Sequence, residues 1–126
     1  MTGGRVLLVD DHAGFRATAR RLLESEGWTV VGEAADGASA VAAAARLRPD
    51  LVLLDIGLPD FDGFAVAERL AGAGAPDIVL ISSRDRAAYA ERIVSSAAVG
   101  YIAKADLDGE GLRALLAAAG TNDGGG

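Results

Sequence analysis

Short apolar runs that stop at a charge constrain this chain more than any other feature. Val6-Leu7-Leu8-Val9 ends at Asp10-Asp11, Leu51-Val52-Leu53-Leu54 ends at Asp55, and Val99-Gly100-Tyr101-Ile102-Ala103 ends at Lys104. Runs this short and this rich in β-formers read as strands. Laid side by side in a parallel sheet, they bring three carboxylates and one ammonium to a single edge. Such an edge can hold a divalent metal and a phosphoryl group.

The rest of the chain keeps the same alternation. Strands are expected at Arg5–Val9, Trp28–Ala34, Asp50–Leu54, Asp77–Ser82 and Val99–Ala103. Between them, His12–Glu26 carries Phe15, Ala19, Leu22 and Leu23 at helical spacing, and Gly27 stops that helix. Asp36–Leu47 is an alanine-rich helix closed by Arg48-Pro49, and Asp62–Ala71 is a short helix with Phe64, Ala67 and Leu70 on one side. After a loop at Gly72–Pro76, helices are expected at Asp85–Ala97 and Leu107–Ala119. Five βα units in strict alternation imply an α/β fold: a five-stranded parallel sheet, doubly wound, with helices on both faces. Ligands bind such sheets at the carboxyl ends of the strands. Asp10, Asp11, Asp55, Ser82 and Lys104 therefore share one rim.

Length and composition bound the function. The 126 residues make one domain, assigned to residues 1–119, and Gly120–Gly126 reads as a flexible tail or the start of a linker. A net charge of −6 carries no nucleic-acid footprint, so direct nucleic-acid binding by this domain is not expected. The absence of cysteine excludes disulfides and thiolate metal sites and fits a cytoplasmic location. No apolar stretch approaches the roughly 20 residues that span a bilayer, and Met1–Arg5 lacks the apolar core of a signal peptide.

Two adjacent acids after one strand and a third after another suit a hard cation such as Mg²⁺. Alone, Asp10-Asp11 would read as a helix cap. With Asp55 nearby, three carboxylates repel one another and need a compensating cation. Asp55 can also act as a nucleophile that accepts a phosphoryl group. Lys104 would supply a point charge opposite, and Ser82 a hydroxyl donor. Taken singly, Ser82 reads as strand-end capping, Lys104 as a solvated loop lysine and Tyr101 as a half-buried strand aromatic.

The ordered set resembles the receiver domain of two-component response regulators, over about residues 5–119. The matching pieces are Asp10-Asp11, Asp55, the turn Leu58-Pro59-Asp60 with Asp62-Gly63, Ser82, Tyr101 and Lys104. The resemblance implies a flavodoxin-like (βα)₅ fold with strand order 2-1-3-4-5. It implies that Asp55 takes phosphate from a histidine kinase. It implies that Asp11, Asp55 and the Gly57 carbonyl bind Mg²⁺ directly, with Asp10 acting largely through water. In the family, Ser82 and Tyr101 would form the switch that alters the face of the fourth helix, fifth strand and fifth helix. A phosphorylation-dependent homodimer through that face, whose fourth helix is expected to present Arg86, Tyr89, Glu91 and Arg92, or through the first and fifth helices, is an expectation. So is an output toward transcription, because Ala105 follows Lys104 where many receivers have proline, as in regulators with LuxR-type helix-turn-helix outputs.

Two other departures bear on chemistry. Gly57 has no side chain to orient an attacking water, and Ser83 adds a hydroxyl at the phosphoryl entrance. Other classes fit less well. A haloacid-dehalogenase-type phosphatase wants a second acid at position 57, and a flavin site wants a phosphate-cradling loop where Asp10 and Asp11 stand. A module that keeps the fold without taking phosphate would not need the intact acids, Ser82 and Lys104. The chain is therefore expected to be a switch rather than a turnover enzyme. His12, beside the acids, has three readings: a phosphohistidine donor, a metal ligand and, the preferred one, an exposed first-turn residue of the first helix; Trp28 reads as a structural residue at the start of the second strand.

Overall fold

The computed structural model describes residues 4–60, 62–71, 76–83, 90–96, 98–108, 110–111 and 114. The strands are β1 (Arg5–Val9), β2 (Thr29–Ala34), β3 (Leu51–Asp55), β4 (Asp77–Ser82) and β5 (Gly100–Ala103). The helices are α1 (Ala13–Ser25), α2 (Gly37–Leu47), α3 (Gly63–Leu70) and α4 (Ala90–Ser95). All strand pairs are parallel, in the order β2-β1-β3-β4-β5. This is the doubly wound, flavodoxin-like arrangement expected from the alternation.

The sheet is buried on both faces, which is why its central strands are continuously apolar. Side chains alternate between two cores. Leu7, Val9, Val52, Leu54, Ile78 and Leu80 pack with residues of α2, α3 and α4. Val6, Leu8, Leu51, Leu53, Val79 and Ile81 pack on the other face with Ala19 and Leu23 of α1, and Phe15, Trp28 and Leu107 border them. Small side chains at Ala40, Ala43 and Ala44 form the buried face of α2. Truncating fully buried Leu23 to alanine would cost about 2–5 kcal/mol, through lost burial plus the cavity left behind.

Termination follows local chemistry. Gly27 takes φ 92°, a left-handed conformation that ends α1 without a Cβ penalty. Arg48 caps α2 at φ 49°, and Pro49 cannot continue the helix. Asp36 and Asp62 cap α2 and α3, with side chains accepting from Ser39 and Ala65.

Some boundaries differ from expectation. His12 is the N-cap of α1, outside its first turn. Trp28, Asp50 and Val99 precede their strands, and Asp55 belongs to β3 itself. Asp50 is a tether: its carboxylate accepts the Arg5 N–H at 2.8 Å. Leu107 does not begin the last helix, because Lys104–Asp106 form a 3₁₀ turn that Leu107 closes by donating to the Lys104 carbonyl at 3.3 Å. Residues 110, 111 and 114 are helical. Most of the expected last helix, the first part of Asp85–Ala97 and the tail lie outside the described residues.

Candidate functional site

The site is built at the carboxyl edge of the sheet, where each strand delivers one group. Asp10 follows β1, and its N–H still pairs with the Ala34 carbonyl at 3.0 Å, so the backbone is fixed before the side chain emerges. Arg16 of α1 reinforces it, donating from Nη1 to the Asp10 carbonyl at 2.5 Å and from Nε to Glu33 at 2.9 Å. Burial pushes the Glu33 carboxyl up, but bonds from Arg16 and Arg20 outweigh it and hold the group below its ordinary value. Asp55 is the last residue of β3 and only 5% exposed. Ser82, equally buried, ends β4, and Lys104 immediately follows β5.

These groups converge. Lys104 Nζ lies 2.5 Å from Asp10 Oδ2 and 3.6 Å from Asp55 Oδ2, and 4.5 Å from the centroid of the Phe15 ring. Asp10 Oδ2 is buried and accepts no directed hydrogen bond, so the ammonium compensates it as a point charge. The Gly57 N–H donates to Asp55 Oδ1 at 3.2 Å. Burial still pushes the Asp55 carboxyl above its ordinary value. Asp10 and Asp11 add repulsion, against the opposing pull of the Gly57 N–H and Lys104.

A cleft of about 360 Å³ opens over Asp55, with Gly57, Ser82, Ser83, Lys104 and His12 among its lining residues. Arg92 and Asp62 line it too. Arg92 Nη2 donates to Asp62 Oδ2 at 2.6 Å, and its guanidinium stacks 4.2 Å from the Phe64 ring centroid. Partial burial pushes the Asp62 carboxyl up. The Arg92 bond and the amides of Ala65 and Phe64 outweigh this and leave it below its ordinary value.

The structure thus gathers Asp10, Asp11, Asp55, Gly57, Ser82 and Lys104 around one point. Tyr101 is half-buried in β5, packs toward the core shared with α2 and α3, and is not among the cleft-lining residues. Asp10-Asp11 is not a helix cap, since His12 occupies that position. Gly57 is exposed, and a Cβ there would meet nothing within 4 Å. Gly63 is the opposite: a Cβ would fall 2.5 Å from the Asp55 carbonyl and 2.6 Å from Ile56 Cα. Its N–H donates to the Ile56 carbonyl at 2.7 Å, seating α3 directly against the end of β3.

Sequence reasoning missed three contributors. Phe15 was read as core, yet its ring also lies under the Lys104 ammonium. Arg92 was read as a residue of an interaction face, yet it borders the cleft. Asp60 reaches across to α2 and accepts from the Gly37 and Ala38 amides at 2.7 and 3.0 Å. His12 is exposed as expected, yet its ring lies against both acids.

One donor atom from each of Asp10, Asp11, His12 and Asp55 lies within 4.8 Å of the others. Among the described residues, no helix is long and apolar enough to cross a membrane.

Known proteins share this arrangement. The family model of the response regulator receiver domain matches residues 6–116. A protein of Pseudomonas aeruginosa named as a transcriptional regulator is 41% identical over 116 residues, covering 91% of this chain. The chain spans about half of that relative's length, 54%. The signal receiver domain of the response regulator NarL from Mycobacterium tuberculosis superposes with a TM-score of 0.81 at 34% identity, over 96% of this chain and 99% of that one. A LuxR-family two-component response regulator from Aurantimonas superposes at 0.80 with 32% identity, over 91% and 84%. The chain belongs to the response regulator receiver domain family.

Proposed function

We propose that this chain is a phosphoacceptor switch in which Asp55 takes a phosphoryl group from a histidine kinase. The observation that carries the reading is the position of Asp55: at the end of the central strand, nearly buried, facing a cleft with Ser82 and Lys104. In the transfer, the P–N bond of a phosphohistidine breaks and an acyl P–O bond forms on Asp55. The imidazole leaves with the electron pair of the broken bond. Burial that raises the proton affinity of Asp55 also makes its ionised form a stronger nucleophile.

Asp11, Asp55 and the Gly57 carbonyl would hold Mg²⁺, with Asp10 acting through water, and the ion would neutralise charge on the phosphoryl oxygens. The close approach of the acidic donor atoms supports this assignment. Lys104 and Ser82 then read the new dianion, and Tyr101 turns into the space left by the Ser82 hydroxyl. The altered face around α4 and β5 passes the signal on. Its chemistry is limited to self-phosphotransfer and slow hydrolysis.

By analogy with its relatives, the whole protein acts in the cytoplasm on transcription, through a phosphorylation-dependent homodimer. Arg86 and Tyr89, expected on the α4 face, lie outside the described residues. Glu91 and Arg92 of that face are both exposed. Incubation with Mg²⁺ and acetyl phosphate, followed by intact mass, tests the acceptor: wild type gains one phosphoryl group and Asp55→Asn gains none. A modified Asp55→Asn chain would refute it. Sedimentation with and without beryllofluoride tests the dimer.

A further inference from the structure

Asp11 stands at an exposed turn between β1 and α1, so burial does not fix its position. The backbone on either side does. Before it, the Asp10 N–H donates to the Ala34 carbonyl at 3.0 Å. After it, the His12 N–H donates to Asp10 Oδ1 at 2.8 Å, and the His12 carbonyl accepts from the Arg16 N–H at 3.1 Å. Between them lies the planar peptide that joins the two acids. Its carbonyl, that of Asp10, accepts from Arg16 Nη1 at 2.5 Å. With that oxygen held, the peptide plane cannot turn, and the direction in which Asp11 leaves the chain is set.

The guanidinium that makes this bond is itself held. Arg16 Nε donates to Glu33 Oε1 at 2.9 Å, and Glu33 Oε2 accepts from Arg20 Nη1 at 2.7 Å. Arg20 also donates to Glu24 at 3.3 Å. The Arg16 side chain is only 18% exposed. A rigid planar fork can span a carboxylate on β2 and a carbonyl after β1 at once, which a single ammonium does poorly. Arg16 is aimed at a main-chain oxygen, while Lys104 meets the Asp10 carboxylate. Geometry, rather than neutralisation of the acids, is what that placement serves.

We propose that Arg16 is a positioning residue for the cation site: by holding the Asp10–Asp11 peptide it presets the Asp11 carboxylate for Mg²⁺. This rests on the reading of Asp11 as a cation ligand. Charge alone would give the opposite effect. A guanidinium beside the rim repels a cation, so its removal would tighten Mg²⁺ binding if charge were its contribution. Loss of a partner that orients a metal ligand instead weakens binding, by about tenfold or more.

The test titrates Mg²⁺ into the whole chain and follows amide shifts. Arg16→Ala should bind Mg²⁺ about tenfold or more weakly than the unsubstituted chain. Arg16→Lys keeps the charge but has one nitrogen for two acceptors, and should fall in between. Hydrogen exchange at the His12 amide should speed up in Arg16→Ala, while the amides of Leu8 and Val9 keep their protection. Unchanged or tighter Mg²⁺ binding in Arg16→Ala overturns the proposal. So does exchange that accelerates equally at Leu8 and Val9, the mark of a general loosening. Alanine suits a helix interior, so the variant should fold, which circular dichroism checks. If it does not, Arg16→Lys carries the test: weaker Mg²⁺ binding supports the proposal, and equal or tighter binding overturns it. Failure of the unsubstituted chain to bind Mg²⁺ overturns the cation reading and this inference with it.

Discussion

The Lys104 ammonium sits 2.5 Å from Asp10 Oδ2, closer than its 3.6 Å to Asp55. In the unmodified protein the lysine is thus the counter-ion of Asp10, and a phosphoryl group on Asp55 must draw it away. Lys104→Ala would strand a buried carboxylate. The expected cost is about 2 kcal/mol, below the range for a sealed pair because Lys104 remains 13% exposed. The same variant should still accept phosphate on Asp55 while losing the amide shifts around Tyr101 that mark switching. Urea unfolding and amide spectra check both, and wild-type values in either would contradict this arrangement.

Asp55 sets a pH dependence of stability. Its ordinary value is 3.8, and burial raises it in the folded chain. Above that ordinary value the folded state binds more protons than the unfolded one, so stability falls as pH rises toward the raised value and stays lowered beyond it. Asp55→Asn removes the cost. The variant should be more stable than wild type at pH 7, by on the order of 1 kcal/mol, with the gap closing as pH drops below the ordinary value. Thermal melts of both chains across acid and neutral pH, without divalent ions, measure it. An equal gap at all pH values would mean that another effect dominates.

Two glycines near the acceptor should respond in opposite ways. Gly63→Ala drives a methyl into the Asp55 carbonyl and the Ile56 backbone, which cannot step aside cheaply. A loss of about 1–3 kcal/mol is expected. Gly57→Ala places its methyl in open space and should stay within about 0.5 kcal/mol of wild type. Denaturant midpoints of the pair decide the matter.

Asp60 anchors the acceptor loop from a distance. Its two oxygens take the free amides at the start of α2, a capping role supplied from outside the helix. Asp60→Ala should cost about 1 kcal/mol and speed hydrogen exchange at Gly37 and Ala38. Exchange unchanged at those two amides would show that the bonds do not persist in solution.

The strand ends were legible in the sequence because a buried parallel strand must be apolar throughout and can carry charge only where it stops. That single rule places Asp55, Asp10 and Lys104 on one rim. The helix starts at Asp36 and Asp62 were nearly as clear, since each acid bonds an amide three residues ahead. What escaped was contact between side chains distant in sequence. No local pattern tells that Arg92 closes on Asp62, or that Asp60 caps a helix that begins before β3. Leu22 followed the helical stripe but is only partly buried, because α1 meets the sheet along Ala19 and Leu23. The end of the fourth unit and the fifth helix share a softer signal, as alanine and serine runs fix helix type better than helix limits.

The strand order has a consequence for the timing of biosynthesis. Asp10 leaves the ribosome early, Asp55 midway and Lys104 near the end, yet β3 lies between β1 and β4, and β5 closes an edge. The lysine that neutralises Asp10 arrives only when that edge strand docks. Until then the nascent rim is an anionic cluster without its own cation, so β1 and β3 carry a repulsion that the complete sheet relieves. Docking of the edge strand is therefore the step that brings the rim its own cation, after the central strands have already met.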